Sequence, residues 1–178
     1  ANLGQDVMFS GTFGAALTAQ LSGIPAIATS LVGGGVKNGG QESASDYQVA
    51  AHEIVKLLTE TSVLEMLKSL PYHVLNVNIP DVQHADDIKG RKITSLGHKQ
   101  AAQPVRHMID PRGRDAYWLS LRKGKNERPS ETSIDAIQAK QDVMTDYQAV
   151  AAGYVSLSPV RLHHTPTAAL ERLSTLAL

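Results

Sequence analysis

Helical spacing of apolar residues is clearest in the first part of the chain. Between 42 and 59 the apolar residues form one stripe, typical of a helix that packs one face on a sheet. Ser10 precedes a predicted helix over 11–22, and its hydroxyl is placed to accept a hydrogen bond from a free N–H of the first turn. Ser62 and Glu65 have the spacing of a capping box, which predicts a helix over 62–70.

Extended patterns follow these helices. Residues 25–31 form a continuous apolar run, as buried strands of parallel sheets do, and residues 74–80 alternate between apolar and polar. A helix followed by a buried strand is half of an α/β crossover, so we predict an α/β sheet. Gly33–Gly35 and Gly39–Gly40 mark a loop between strand and helix, but this loop lacks the Lys-Ser/Thr pair of a P-loop.

Composition shifts after Pro80 toward short extended segments. Residues 110–113 read Asp-Pro-Arg-Gly, a tight-turn sequence, and predict a β-hairpin. The polar stretch 122–142 predicts an exposed loop. The other predicted elements are strands over 92–96, 105–109, 116–121 and 154–159, a helical turn over 146–152 and a terminal helix over 167–176.

Composition narrows the function classes. The 178 residues are 42% apolar but only 4% aromatic, which predicts an aliphatic core. Seventeen basic and seventeen acidic residues cancel, which argues against binding of a nucleic acid polymer because such binding needs a concentrated positive surface. No apolar run reaches membrane-spanning length, so we expect no membrane partner and a cytoplasmic location. The chain has no cysteine, so disulfides and thiolate zinc sites are excluded.

Within the chain we predict no metal ligands. Asp86-Asp87 is expected to be a solvated loop pair, because no glycine follows it and no apolar strand precedes it. Adjacent residues on a strand point apart, so His163-His164 does not form a metal pair. Ser10 lies outside any G-x-S-x-G motif, which disfavours a serine nucleophile.

Five short sequence blocks span most of the chain. They are N-L-G-Q-D-V-M-F-S-G-T at 2–12, L-N-V-N-I-P at 75–80, K-G-R-K-I-T-S-L-G at 89–97, D-P-R-G-R-D-A-Y-W at 110–118 and T-D-Y-Q-A-V-A-A-G-Y-V-S-L-S-P at 145–159. In this order they resemble the signature segments of the SurE family, metal-dependent nucleotidases that remove phosphate from nucleoside 5′- and 3′-monophosphates. Each block is a weak signal, but the ordered set is a strong one.

The resemblance implies the second half of a Rossmann-like, three-layer α/β/α SurE-like fold. Residues 1–80 would be the C-terminal half of its α/β domain, and residues 81–178 an oligomerisation region with a β-hairpin arm and a terminal helix. A homodimer or homotetramer is then expected. The family's Asp-Asp-Gly and Ser-Gly-x-Asn metal ligands have no counterpart here, and since the family's ligands lie there, the resemblance implies that Asp6 is a solvated or first-turn carboxylate. We therefore expect the chain to be part of a longer protein, with the ligands of a divalent ion (Mg²⁺ or Mn²⁺) upstream of Ala1.

The same resemblance assigns Asn2 and Ser10 to the catalytic site, where an amide and a hydroxyl donate to phosphate oxygens. With Gly11 and Thr12 they would bind the substrate phosphate, because free N–H groups at a helix start favour an anion. The residues alone also allow a plainer interpretation, in which Ser10 only caps the helix and Asn2 is only a loop residue.

Two functional hypotheses follow. The first is a metal-dependent phosphomonoesterase acting on nucleoside monophosphates, in which this chain without its upstream segment is inactive. The second is a non-catalytic assembly module, a truncated SurE-like subunit. The sequence preceding Ala1 distinguishes them, because an apolar strand ending in Asp-Asp-Gly, together with a Ser-Gly-x-Asn turn, would favour the enzyme. An unrelated α/β ligand-binding domain would have to match five ordered blocks by chance.

Overall fold

The computed structural model describes residues 2–33, 46–97, 105–119, 143–161, 170–171 and 173–175. The helices are α1 (Gly11–Leu21), α2 (Asp46–Glu60), α3 (Val63–Lys68) and α4 (Asp146–Ala151), with 3₁₀ helices at Gly4–Phe9 and Ala85–Asp87. The strands are β1 (Ile27–Val32), β2 (His73–Pro80), β3 (Arg91–Ile93), β4 (Val105–Ile109), β5 (Asp115–Leu119) and β6 (Val155–Arg161). No helix among these residues is long and apolar enough to cross a bilayer.

Each predicted helix and strand with described residues is present, with ends shifted by a few positions. At the terminal helix, Leu170, Glu171 and Leu173 are helical. The glycines from 34 to 40 and the predicted loop 122–142 lie outside the described residues. One local prediction is wrong: Ser62 is the N-cap of α3, but its side chain makes no capping hydrogen bond. Its ψ of 33° is not extended, and Thr61 Oγ1 accepts from the Val63 N–H instead, at 3.3 Å.

Contacts group the chain into two compact units, 1–97 with 143–178, and 98–142. This grouping does not coincide with the predicted break after Pro80, because β6 joins the sheet of the first unit. The oligomerisation role assigned to 81–178 stays a prediction. Within the second unit, β4 and β5 form the predicted antiparallel hairpin, with His107 opposite Tyr117.

The first unit contains a four-stranded mixed sheet in the order β1-β2-β6-β3. β1 pairs with β2 in parallel, as the continuous apolar run predicted. β6 returns antiparallel to β2, and β3 pairs with β6 in parallel. The chain therefore has the predicted α/β fold class.

Helices cover both faces of this sheet. On one face Leu75, Val77 and Ile79 pack with residues of α2 and α3. On the other face Val74 and Val160 pack with Phe13 and Ala16 of α1. This is the predicted three-layer arrangement, and its aliphatic core agrees with the low aromatic content.

On the face of the sheet that α1 covers, the side chains of β2 change from apolar to polar toward the carboxyl end of the strand. Val74 lies opposite Val160 of β6, but the next residues on this face are Asn76 opposite Ser158 and Asn78 opposite Ser156. Each of these four polar residues is fully buried. Buried polar side chains need hydrogen-bond partners, so this end of the face must be covered by polar groups.

Candidate functional site

Ser10 is the N-cap of α1, as predicted. Its backbone is extended, and its Oγ accepts a hydrogen bond from the Phe13 N–H at 3.2 Å. A serine hydroxyl has one donor proton besides its acceptor lone pairs, so this cap leaves the proton free to donate elsewhere. Gly11 and Thr12 are exposed in the first turn, where N–H groups have no partner within the helix.

Asn2 covers the polar end of β2. Its N–H donates to Asn78 Oδ1 at 3.0 Å, and its carbonyl oxygen accepts from Asn76 Nδ2 at 2.7 Å and from Asn78 Nδ2 at 3.0 Å. Two buried asparagines of one strand therefore fix the backbone of Asn2.

The side-chain amide of Asn2 is buried, and its Nδ2 has no hydrogen-bond partner among the described residues. Asn76 Oδ1 is in the same condition. Leaving a buried donor unsatisfied costs about 1–3 kcal/mol. An acceptor oxygen of a ligand near Asn2 Nδ2 would remove this penalty.

Gly4 is positioned by the start of α4. Its N–H donates to Asp146 Oδ2 at 2.6 Å, while the hydroxyl of Tyr147 donates to the carbonyl of Leu3 at 3.0 Å. The φ of Gly4 is +56°, and a Cβ here would overlap the carbonyl oxygen of Gly97 and lie 2.6 Å from the Tyr147 ring. Only glycine fits this position, which allows the loop to approach α4 closely.

Asp146 is fully buried and accepts three backbone N–H groups. Oδ2 accepts from Gly4, and Oδ1 accepts from Gly97 and Tyr147, both at 2.9 Å. Burial raises the pKa of Asp146, and the hydrogen bonds from Gly4, Gly97 and Tyr147 oppose this rise. Burial, with smaller contributions from the charges of Asp6 and Asp146, raises the pKa of Tyr147 to about 12. The phenol therefore keeps its proton at neutral pH and can donate to Leu3.

Both parts of the predicted phosphate site lie at one edge of the sheet. α1 packs on β1 and joins it through the short connection 22–26, so the two elements run antiparallel and α1 begins near the carboxyl end of that strand. Asn2 bonds to Asn78, close to the carboxyl end of the parallel neighbour β2. Ligands of α/β proteins bind at this edge. Ser10, Gly11 and Thr12 share the start of α1, and Asn2 is held separately by β2.

For Asp6, Asp86, Asp87 and His163-His164 we predicted that the side chains do not bind a metal ion. Asp6, Asp86 and Asp87 are exposed, as expected for solvated carboxylates. In the part of the chain that the structure describes, no three His, Asp or Glu side chains are grouped so as to hold a metal ion. His163-His164 lies outside the described residues.

Four residues of the site escaped the sequence analysis, namely Asn76, Asn78, Asp146 and Tyr147. All four belong to the blocks at 75–80 and 145–159. The signal that could have found them is a polar side chain that has no local hydrogen-bond partner in its predicted strand or at its predicted helix start. Their common role is to hold the segment from Asn2 to Gly4.

Comparisons with known proteins agree with this architecture. The sequence profile of the family described as "Survival protein SurE" matches residues 1–103. A crystal structure of the SurE protein from Aquifex aeolicus superposes with a TM-score of 0.60 at 30% identity, covering 98% of this chain and 61% of that one.

Two relatives carry the name 5′-nucleotidase SurE. The protein from Psychrobacter cryohalolentis is 67% identical over 178 residues, which are 100% of this chain and 65% of the relative. The protein from Acinetobacter baylyi is 39% identical over 176 residues, or 98% of this chain and 62% of the relative. The chain thus spans somewhat less than two thirds of the length of these relatives, and it belongs to the SurE family.

Proposed function

We propose that the full-length protein containing this chain is a phosphomonoesterase that hydrolyses nucleoside 5′- and 3′-monophosphates to nucleoside and phosphate. The relatives named 5′-nucleotidase support the reaction class. The observation that carries the proposal is the buried Nδ2 of Asn2, which has no hydrogen-bond partner among the described residues and lies at the sheet edge where α1 begins. A buried donor that the described residues leave without an acceptor is what a phosphate-binding group would be before substrate arrives.

The chain's own residues bind and orient the phosphate. The hydroxyl proton of Ser10 and the N–H groups of Gly11 and Thr12 donate to phosphate oxygens at the start of α1, where the helix dipole also favours an anion. Asn2 Nδ2 donates from the side of β2. Hydrogen bonds to an ionised acceptor are about twice as strong as neutral ones. These donors would hold the phosphorus in one orientation for attack by water.

The proposal includes a divalent ion, Mg²⁺ or Mn²⁺. When bound, such an ion neutralises phosphate charge and lowers the pKa of a bound water. The described residues provide no group of three ligands for it. The resemblance to the SurE family supports ligands in sequence upstream of Ala1, and the residues of this chain bind and orient the phosphate.

The hairpin of the second unit supports the proposal of a homodimer or homotetramer. Ile109 and Tyr117 are 64% and 70% exposed on β4 and β5. A two-stranded hairpin is marginally stable alone in water, so apolar surface of this kind is stabilised when another chain covers it. A cytoplasmic location stays a prediction.

The substitution Ser10→Asp tests the phosphate site. Aspartate is as good an N-cap as serine, so the stability of α1 should be kept. Its carboxylate removes the hydroxyl donor and repels the phosphate dianion, so kcat/KM for nucleoside monophosphates should fall by roughly a hundredfold or more. The measurement is phosphate release by the full-length protein, with thermal unfolding recorded for each variant.

Ser22→Asp is the matched control, because Ser22 is the C-cap of the same helix and is exposed. It should leave kcat/KM within a few-fold of wild type. Full activity of Ser10→Asp would show that Ser10 only caps the helix, and the proposed phosphate site would be wrong.

A further inference from the structure

A buried carboxylate joins three separate segments beside the candidate site. We propose that Asp146 is a positioning residue of the phosphate site: it fixes Gly4, and through it the side-chain amide of Asn2, for binding a substrate phosphate. This inference rests on the proposed function for the identity of the ligand. The claim that Asp146 positions the segment 2–4 can be tested without any catalytic activity.

The geometry around Asp146 requires both carboxylate oxygens. Oδ2 accepts from Gly4, and Oδ1 accepts from Gly97 and from the N–H of Tyr147. An asparagine has only one acceptor oxygen and would present an N–H₂ donor to at least one of these N–H groups. The carboxylate is therefore the side chain of this size that satisfies all three donors together.

The backbone of Asp146 is itself fixed. Its N–H donates to the carbonyl of Ser95 at 2.9 Å, and the N–H of Ser95 donates to the carbonyl of Met144 at 3.1 Å. These bonds join the start of α4 to the segment after β3. The carboxylate thus projects from a rigid base toward Gly4.

Two glycines allow the close approach. A Cβ at Gly97 would lie 2.6 Å from the Tyr147 ring and 3.2 Å from Asp146 Oδ1, and one at Gly4 would meet the same ring. The residues Gly4, Gly97, Asp146 and Tyr147 therefore form a cluster with no room for a side chain at either glycine. Asn2 lies two residues from this cluster, on the chain that the cluster holds.

A buried carboxylate is unfavourable for the free energy of folding if its only role is to stabilise the fold. None of the ion pairs among the described residues includes Asp146, and its partners are neutral N–H groups. Burying a charge without a cation is unfavourable. Placement of the segment 2–4 beside the phosphate site is a role that fits such a residue, because a small displacement of a binding group can cost roughly a hundredfold in rate.

The test uses Asp146→Asn and Tyr147→Phe in the full-length protein, with Asp86→Asn as the control at an exposed aspartate. The first readout is hydrogen–deuterium exchange of the peptide covering residues 2–9. Asp146→Asn should accelerate this exchange roughly tenfold, since one hydrogen bond to a charged acceptor is lost. Tyr147→Phe, which removes the hydroxyl that donates to Leu3 and leaves the carboxylate of Asp146 in place, should have a smaller effect in the same direction, and Asp86→Asn none.

The second readout is the split between KM and kcat. Misplacement of Asn2 weakens phosphate binding, so the KM for nucleoside monophosphates and the inhibition constant of inorganic phosphate should both rise roughly tenfold. A merely structural role would instead reduce the folded fraction, which lowers the apparent kcat and leaves KM and phosphate inhibition unchanged.

Unchanged exchange at 2–9 in Asp146→Asn would overturn the inference, as would faster exchange with unchanged KM and phosphate inhibition. If the wild-type protein releases no phosphate, the proposed function fails separately. Exchange is then measured with inorganic phosphate added. Protection of residues 2–9 by phosphate in wild type but not in Asp146→Asn supports the positioning role, and its absence from wild type overturns it.

Discussion

At the scale of single residues, the capping role of Ser10 can be separated from its proposed phosphate contact. Ser10→Ala removes the hydrogen bond from the Phe13 N–H and should lower the free energy of unfolding by about 1 kcal/mol. Ser62→Ala is the matched control, because Ser62 is also an N-cap but its side chain makes no capping bond. It should change the stability little. Urea unfolding of both variants checks this, and equal losses would contradict the capping hydrogen bond at Ser10.

The titration of Asp146 gives a second prediction at this scale. Burial raises its pKa above the ordinary value of 3.8, so the folded protein binds this proton more tightly than the unfolded chain does. The contribution of Asp146 to stability is therefore fully present below pH 3.8 and is lost as the pH rises through the folded-state pKa.

The asparagine of Asp146→Asn does not titrate. The unfolding free energy of wild type should therefore fall relative to that of this variant as the pH rises toward neutral. Urea unfolding at a series of pH values measures this difference. A shift in favour of wild type would mean that the hydrogen bonds from Gly4, Gly97 and Tyr147 outweigh burial, and that the pKa of Asp146 is lowered.

At the scale of elements, the loop before α1 depends on the close approach at Gly4. Gly4→Ala must place a Cβ against Gly97 and the Tyr147 ring in a left-handed backbone conformation, so a loss of roughly 2 kcal/mol or more is expected. Gly23→Ala has the same kind of φ, +80°, but open space around the new Cβ. It should lose only about 1 kcal/mol. Chemical denaturation measures the free energy of unfolding of both variants, and equal losses would show that the loop rearranges to accept a Cβ at Gly4.

Elements with a strong local signal could be predicted from the sequence. The turn sequence at 110–113 predicted the hairpin of β4 and β5, and the apolar stripe at 42–59 predicted α2. The capping box at Ser62 was wrong because spacing alone does not fix the backbone angles that a cap needs. Local patterns therefore identify elements better than they identify side-chain contacts.

The contacts that hold the candidate site in place could not be predicted from local patterns. Asn78 contacts Asn2 across 76 positions of sequence, and Asp146 contacts Gly4 across 142. Such contacts depend on the sheet order, which brings β2 and β6 together, and no local periodicity encodes that order. Ser10 was accessible to sequence reasoning because its role as a cap depends only on the residues of α1.

At the scale of the whole molecule, the proposed oligomer can be tested at the hairpin. Ile109→Lys removes an exposed apolar side chain, and the new ammonium lies opposite Asp115, which favours the hairpin itself. We expect weaker self-association of the full-length protein in analytical ultracentrifugation. Leu21→Lys, at the same exposed fraction of 64%, is the control and should leave the association constant unchanged. Equal effects of the two substitutions would contradict an interface at the hairpin.

The central claim is that this chain provides the phosphate-binding part of a metal-dependent nucleotidase. The most direct measurement is phosphate release from nucleoside 5′- and 3′-monophosphates by the full-length protein, before and after chelation and after Mg²⁺ or Mn²⁺ is restored. We predict release that stops on chelation and returns with the metal, and a fall in kcat/KM of roughly a hundredfold or more in Ser10→Asp. A folded protein that releases no phosphate from any of these substrates at any metal concentration would contradict the claim and favour the non-catalytic assembly module.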